Sequence, residues 1–144
     1  MGLSNIENKT KYLSIKEGKI WLKEQSFDCF EGYLKDIKER TRTFRNEEKT
    51  LLDFHFIDDE QEEYILSSSK TSGTTRSLLN YLSYIEDEKM KEPIKIITYL
   101  NKDNNLTKLQ SYYGSNKLDW KYKDWKEFIN ICDEVQKNII TKLN

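Results

Sequence analysis

Alanine does not occur in this chain of 144 residues, proline and histidine occur once each, cysteine twice and glycine five times. Each shortage closes a route. Few glycines, one proline and no heptad run exclude collagen-like, low-complexity and coiled-coil chains. Two cysteines, Cys29 and Cys132, make neither a disulfide framework nor a C-x-x-C metal knuckle, so a reducing interior is expected. Without a neighbouring His they are poor nucleophiles, and both are expected as small buried apolar residues. The lone His55 has no second imidazole or nearby cysteine to share a metal with, and no Ser-His-Asp set assembles around it. No apolar run approaches the ~18 residues of a membrane span. Met1-Gly2-Leu3-Ser4-Asn5 lacks a basic stretch followed by an apolar one, so no export is expected and the cytoplasm is the expected location. An excess of one charge is missing too: 24 basic against 25 acidic residues means that a polyanion has to be met by a local patch.

What is present fits one folded domain. The length buries a real core without disulfides or metals, and aromatic residues are spread along the whole chain. Lysine (20), isoleucine (14) and asparagine (11) are abundant while alanine is absent, which is what AT-rich codons produce. Part of the lysine content is therefore codon bias. Arginine is the more informative cation.

The elements follow from periodicity. Tyr12–Ile15 and Lys19–Lys23, separated by Gly18, predict a short leading hairpin. Phe27–Ile37 is strand-like with Gly32 inside it, and its alternation slips from Phe30 to Leu34 to Ile37 as a bulge or barrel corner would cause. A polar arm, Lys38–Glu48, follows. Leu52, Phe54 and Phe56 then share one face of a strand while Asp53 and His55 take the other. Asp58–Gln61 is a turn, Glu63–Leu66 a returning strand and Ser67–Thr75 a loop. Leu78, Leu79, Leu82 and Ile85 switch to helical spacing. Ile94–Leu100, the Asn101–Asn105 turn and Leu106–Tyr113 predict two more strands. Asp124 with Glu127 starts a last helix whose stripe is Trp125, Phe128, Ile129, Cys132, Val135, Ile139 and Ile140. Three strands, a helix and two strands, with the first strand bent at a glycine, predict a mainly β fold. It is a five-stranded, OB-fold-like Greek-key barrel with one internal helix and an extra C-terminal helix. Residues 1–10 form a polar lead, 11–122 the barrel, and 123–144 a helix packed on the barrel or on a partner.

The chain resembles small phage OB-fold proteins of the single-stranded-DNA-binding type. The resemblance rests on Gly18-Lys19-Ile20, Gly32, Phe56-Ile57-Asp58, Tyr64-Ile65-Leu66, Ser67-Ser68-Ser69, Leu78-Leu79-Asn80-Tyr81-Leu82 and Trp120-Lys121-Tyr122, and covers roughly 11–122. These are loose patterns of apolar residues and glycine, with no catalytic signature. They imply strand binding in phage replication or recombination. The chain ends Thr141-Lys142-Leu143-Asn144 on a predicted helix, so recruitment of partners by an acidic tail is not expected.

Two clusters could meet a nucleic acid. Lys38–Arg45 carries three of the four arginines, Arg40, Arg42 and Arg45, around Phe44, a net +3 between the first two barrel strands. Arginines there would neutralise phosphates and Phe44 would stack on a base, with Lys49 beside them. The bland reading is a solvated arm. Lys117–Lys123, three lysines against Asp119 and so +2, interleaves Lys117 and Lys121 with Trp120 and Tyr122. Its aromatics either form a stacking platform or dock the last helix. His55 on the outer strand face and Lys102 in the turn complete the candidates. Asp58, Asp59, Glu60, Glu62 and Glu63 read as a solvated turn, not as converging metal ligands. Ser67–Arg76 fails the Walker spacing and reads as a helix cap, with Lys70 or Arg76 a minor phosphate contact.

The sequence thus supports a non-enzymatic, sequence-tolerant binder of single-stranded nucleic acid, DNA favoured, without cofactor or metal. Its groove would lie on the second and third strands between the arm and the Asn101–Asn105 loop. The alternative is an OB-fold protein-interaction module, or a phage structural or accessory protein. That protein would act through its barrel face or C-terminal helix, on a protein partner or a second copy of the chain.

Overall fold

The computed structural model describes residues 10–87 and 89–143. The predicted polar lead therefore lies, but for Thr10, outside the described residues. Nine strands and two helices follow one another: β1 (Lys11–Lys16), β2 (Lys19–Leu22), β3 (Gln25–Phe27), β4 (Cys29–Phe44), β5 (Glu47–Ile57), β6 (Glu63–Ser69), α1 (Gly73–Ser83), β7 (Ile94–Leu100), β8 (Thr107–Tyr113), β9 (Asn116–Lys117) and α2 (Trp125–Leu143). The strands form one mixed sheet in the order β3-β2-β1-β6-β5-β4-β7-β8-β9.

β4 is the pivot. Its start, Cys29–Gly32, pairs antiparallel with β7, and its remainder, Tyr33–Phe44, pairs with β5. Gly32 stands at the changeover, where an added Cβ would lie 2.9 Å from the Phe30 ring and 3.3 Å from Phe56. The extra residue inferred from the alternation is Lys35, since the register shifts between Leu34 and Asp36. One residue out of register keeps Leu34 and Ile37 both on the core face.

The predicted polar arm is not a loop. β4 and β5 continue as a ladder to Phe44↔Glu47 and turn through Arg45 and Asn46, at φ 50° and 65°. Two consecutive left-handed residues make the tight hairpin turn that suits strand twist. Ser67–Ser69 likewise belong to β6, opposite Leu51–Asp53, and the loop before α1 is correspondingly short. Ser72 caps α1 by accepting from the Thr75 amide at 3.2 Å. Asp124 caps α2 as anticipated, accepting from the amides of Lys126 and Glu127.

The leading hairpin does more than precede the sheet. β1 pairs in parallel with β6, Leu13 against Leu66, and carries β2 and β3 with it. β8 pairs on its outer side with β9. Among the described residues β6 and β8 share no ladder, so the hydrogen-bonded sheet is open. At the turn, Gly18 has φ +74° and its amide donates to Thr107 Oγ1 at 2.9 Å. A Cβ there would sit 2.6 Å from the Leu100 side chain, so only glycine lets the hairpin lie against the β7–β8 end.

One core joins these parts. The inward face of the sheet supplies Leu13, Ile20, Leu52, Phe54, Phe56 and Ile96, α1 supplies Leu78, Leu79 and Leu82, and α2 supplies Phe128, Val135 and Ile139. The stripe of α2 is thereby buried within the chain. The end of α2 is tied down as well, since Lys142 donates to the Ile85 carbonyl.

Candidate nucleic-acid interface

The pairing register assigns the sheet faces. Leu13, Leu66, Phe54 and Ile37 are in line and point into the core. The alternate residues therefore share the outward face: Tyr12, Ile65, His55 and Asp36 form one row, and Ser67, Asp53 and Lys38 the next. Arg40 and Leu51, then Arg42 and Lys49, then Phe44 and Glu47 continue that face along the arm. Six of the sequence-predicted residues, Arg40, Arg42, Phe44, Arg45, Lys49 and His55, are brought together here.

Their states differ. Arg40 is anchored: its Nε donates to Asp53 Oδ2 at 2.6 Å, a terminal nitrogen donates to Ser67 Oγ at 3.3 Å, and Ser67 in turn donates to Asp53 Oδ1. Asp53 is only 9% exposed, so a charge facing outward in the strand pattern is roofed over by Arg40. Three of the five guanidinium N–H groups remain for another acceptor. Arg42 and Lys49 are different. They are direct cross-strand partners, both are exposed, and neither makes an ion pair among the described residues. Like charges placed opposite one another destabilise a ladder. Phe44 is 53% exposed at the tip, with the Arg45 guanidinium 5.2 Å from its ring centroid. His55 is half-buried between Ile65 and Asp36.

The second predicted patch has another character. Trp120 stacks on Trp125 at 5.0 Å and lies 6.1 Å from Tyr81, and its indole N–H is buried with no acceptor among the described residues. Tyr122 stacks on Phe128 at 5.6 Å. Its backbone is held on both sides by the fully buried Asn80, whose Nδ2 donates to the Tyr122 carbonyl at 2.9 Å and whose Oδ1 accepts from the Tyr122 amide at 3.0 Å. These aromatics fasten α2 onto α1. Lys117, in β9, and Lys121 are exposed near them, and Lys102 is exposed in the β7–β8 turn.

The remaining motifs resolve locally. Asp58 Oδ1 accepts from the amides of Glu60 and Glu62, both at 2.9 Å, which is the turn chemistry expected of Asp. Against the expectation that these acids do not converge, carboxylate oxygens of Asp58, Glu60 and Glu62 come within 4.8 Å of one another. Lys11 pairs with Glu62 at 2.7 Å. Lys70 binds Glu39 at 2.7 Å and Asp133 at 2.9 Å, tying β4 to α2. Its ammonium is pushed above the usual lysine range by these acceptors, Glu39 first, and both carboxyls are held below theirs by the hydrogen bond from Lys70. Cys132 is half-buried, and burial pushes its thiol up. Cys29, expected to be buried, is exposed, because the core-facing position beside it belongs to Phe30.

The residues missed by sequence reading lie on the leading hairpin. Tyr12, Ser14 and Lys16 alternate with Leu13 and Ile15, and Lys19 and Trp21 alternate with Ile20 and Leu22. The period was visible, but which sheet this hairpin would extend was not. No family model matches the chain, and neither a curated protein nor a solved structure matches it.

Proposed function

We propose that the protein binds single-stranded nucleic acid, DNA in preference to RNA, without base readout and without catalysis, on the outward face of β4–β6. The observation that carries the reading is the Arg42–Lys49 pair beside Phe44 on a projecting hairpin. A cross-strand pair of cations with no acid between them costs the free protein stability, and a phosphate chain lying along the arm relieves that cost. The exposed ring at the tip offers a stacking surface that any base can use. The order of β4 to β8 with α1 between β6 and β7 supports an OB-type reading of the core, with β1 lying against β6 where a five-stranded barrel would close on its own last strand. Phage replication or recombination is the setting suggested by the resemblance.

A protein-interaction role would use the barrel face or the C-terminal helix. The stripe of that helix packs on α1 and the sheet, which leaves the barrel face as the surface for such a role. Fluorescence anisotropy of a labelled oligo-dT of about 30 nucleotides, at about 50 and about 200 mM salt, tests the proposal. Micromolar or tighter binding that weakens at the higher salt supports it. Absence of binding at the lower salt removes it.

A further inference from the structure

The arm has a counterpart. β1 and β2 also turn through two left-handed residues, Glu17 and Gly18 at φ 54° and 74°. Whereas the arm carries its Arg42–Lys49 pair two steps in from the closing Phe44–Glu47, here the closing pair is itself two cations, Lys16 opposite Lys19. Beside that pair lies an aromatic ring, Trp21, with Lys16 Nζ 5.1 Å from its centroid and its indole N–H donating to the Lys16 carbonyl at 3.0 Å. Lys19 is backed by Asp28, whereas Lys16 makes no ion pair among the described residues. Because Leu13 faces the core, Lys16, Lys19 and Trp21 share the outward face with Arg42 and Phe44. Because β1 runs parallel to β6, the Lys16–Lys19 turn lies at the Ser69–Leu51–Arg40 end of that face, away from the acidic Asp58–Glu63 turn. Ser69, Leu51 and Arg40 lie level with the turn, and Tyr12, 63% exposed and diagonal to Trp21, lies with Ile65 and His55 four residues back along the strands.

We infer that the leading hairpin is a second contact for the same nucleic-acid strand, with Lys16 meeting a phosphate and Trp21 and Tyr12 stacking on bases, so that the bound strand runs across the sheet from β4 to β2. From the β4 arm to β2 the sheet spans four strand gaps, about 19 Å at the usual spacing. A short strand would occupy the arm alone, and only a longer one would reach both ends. This rests on the strand-binding proposal and goes beyond it by assigning a segment that lies outside the five core strands.

The test compares oligo-dT of about 4 and about 24 nucleotides, because at about 3.4 Å per stacked nucleotide the span between the two hairpins needs about six. Three proteins are titrated: the wild type, Arg42→Ala/Lys49→Ala and Lys16→Ala/Trp21→Ala. The wild type is expected to bind the longer strand at least about tenfold more tightly, the arm variant to weaken on both lengths, and the hairpin variant to weaken on the longer strand only. Tyr12→Ser alters an exposed ring without touching the hairpin's own packing, and the same length-selective loss from it guards against a folding artefact. Wild-type behaviour of both hairpin-side variants, with the arm variant still impaired, overturns the inference and leaves the strand-binding proposal standing. Equal weakening on both lengths also overturns it, since the hairpin would then belong to the short site. Failure of the wild type to bind either strand at low salt removes both proposals together.

Discussion

Arginines two residues apart on one strand have opposite relations to stability. Arg40 covers the buried Asp53, so Arg40→Ala leaves its carboxylate with the Ser67 hydroxyl alone and no charge partner, and is expected to cost about 1–3 kcal/mol. Arg42 faces Lys49, so Arg42→Ala is expected to leave stability within about 0.5 kcal/mol or to raise it slightly, while weakening oligonucleotide binding. Urea titration beside anisotropy separates the two, and a stabilised but binding-impaired Arg42→Ala is the informative outcome. Asn80 is the opposite kind of residue, polar and wholly structural. Asn80→Ala strands the amide and carbonyl of Tyr122 and is expected to cost about 2–3 kcal/mol, read as a loss of roughly 8–12 °C in Tm without a change in binding at 25 °C. The sequence displayed Asn80 and Tyr122 in two separate motifs. That one holds the other depends on where α2 turns back, which local pattern does not encode.

At the scale of elements, the strands with strict alternation were legible, and so were both helices, because one face of each had to be apolar. The arm was not. Its two faces are both polar, so no period marks it, and Arg45-Asn46 lacks the glycine that usually announces a tight hairpin. The docking of the leading hairpin was also hidden, since a parallel partner some fifty residues away leaves no local trace. Gly18 is where that docking is most sensitive. Gly18→Ala combines a positive φ with a clash against Leu100 and is expected to cost on the order of 2 kcal/mol, seen as a Tm lowered by roughly 5–8 °C. The Glu39–Lys70–Asp133 link between β4 and α2 responds to pH instead. Both carboxyls are held below their usual values in the folded state, so their contribution is present above the ordinary carboxylate range and is lost as pH falls through the lowered folded values. The raised lysine contributes until pH climbs past its folded value. Water screens these partly exposed groups, so Lys70→Met is expected to lower Tm only modestly at pH 7, with the difference from wild type shrinking towards pH 3.

The whole molecule is nearly neutral, yet the outward face is polarised, with the acidic Asp58–Glu63 turn at one end and two cationic hairpins at the other. Net charge concealed this, because the separation of sign depends on register. If the arm carries phosphate contacts, Arg42→Ala/Lys49→Ala removes two charges, and the slope of log K against log salt is expected to fall by about 1.4. A slope unchanged from wild type would take the arm out of the interface. The openness of the sheet has another consequence. Each end of a nine-stranded ladder is a row of unpaired backbone groups onto which a second molecule could add a strand. Here those ends are β3, of three residues, and β9, of two, too short to template a lasting ladder. The two terminal strands thus leave a broad polar face open for ligand while offering little margin for strand exchange at either end of the order.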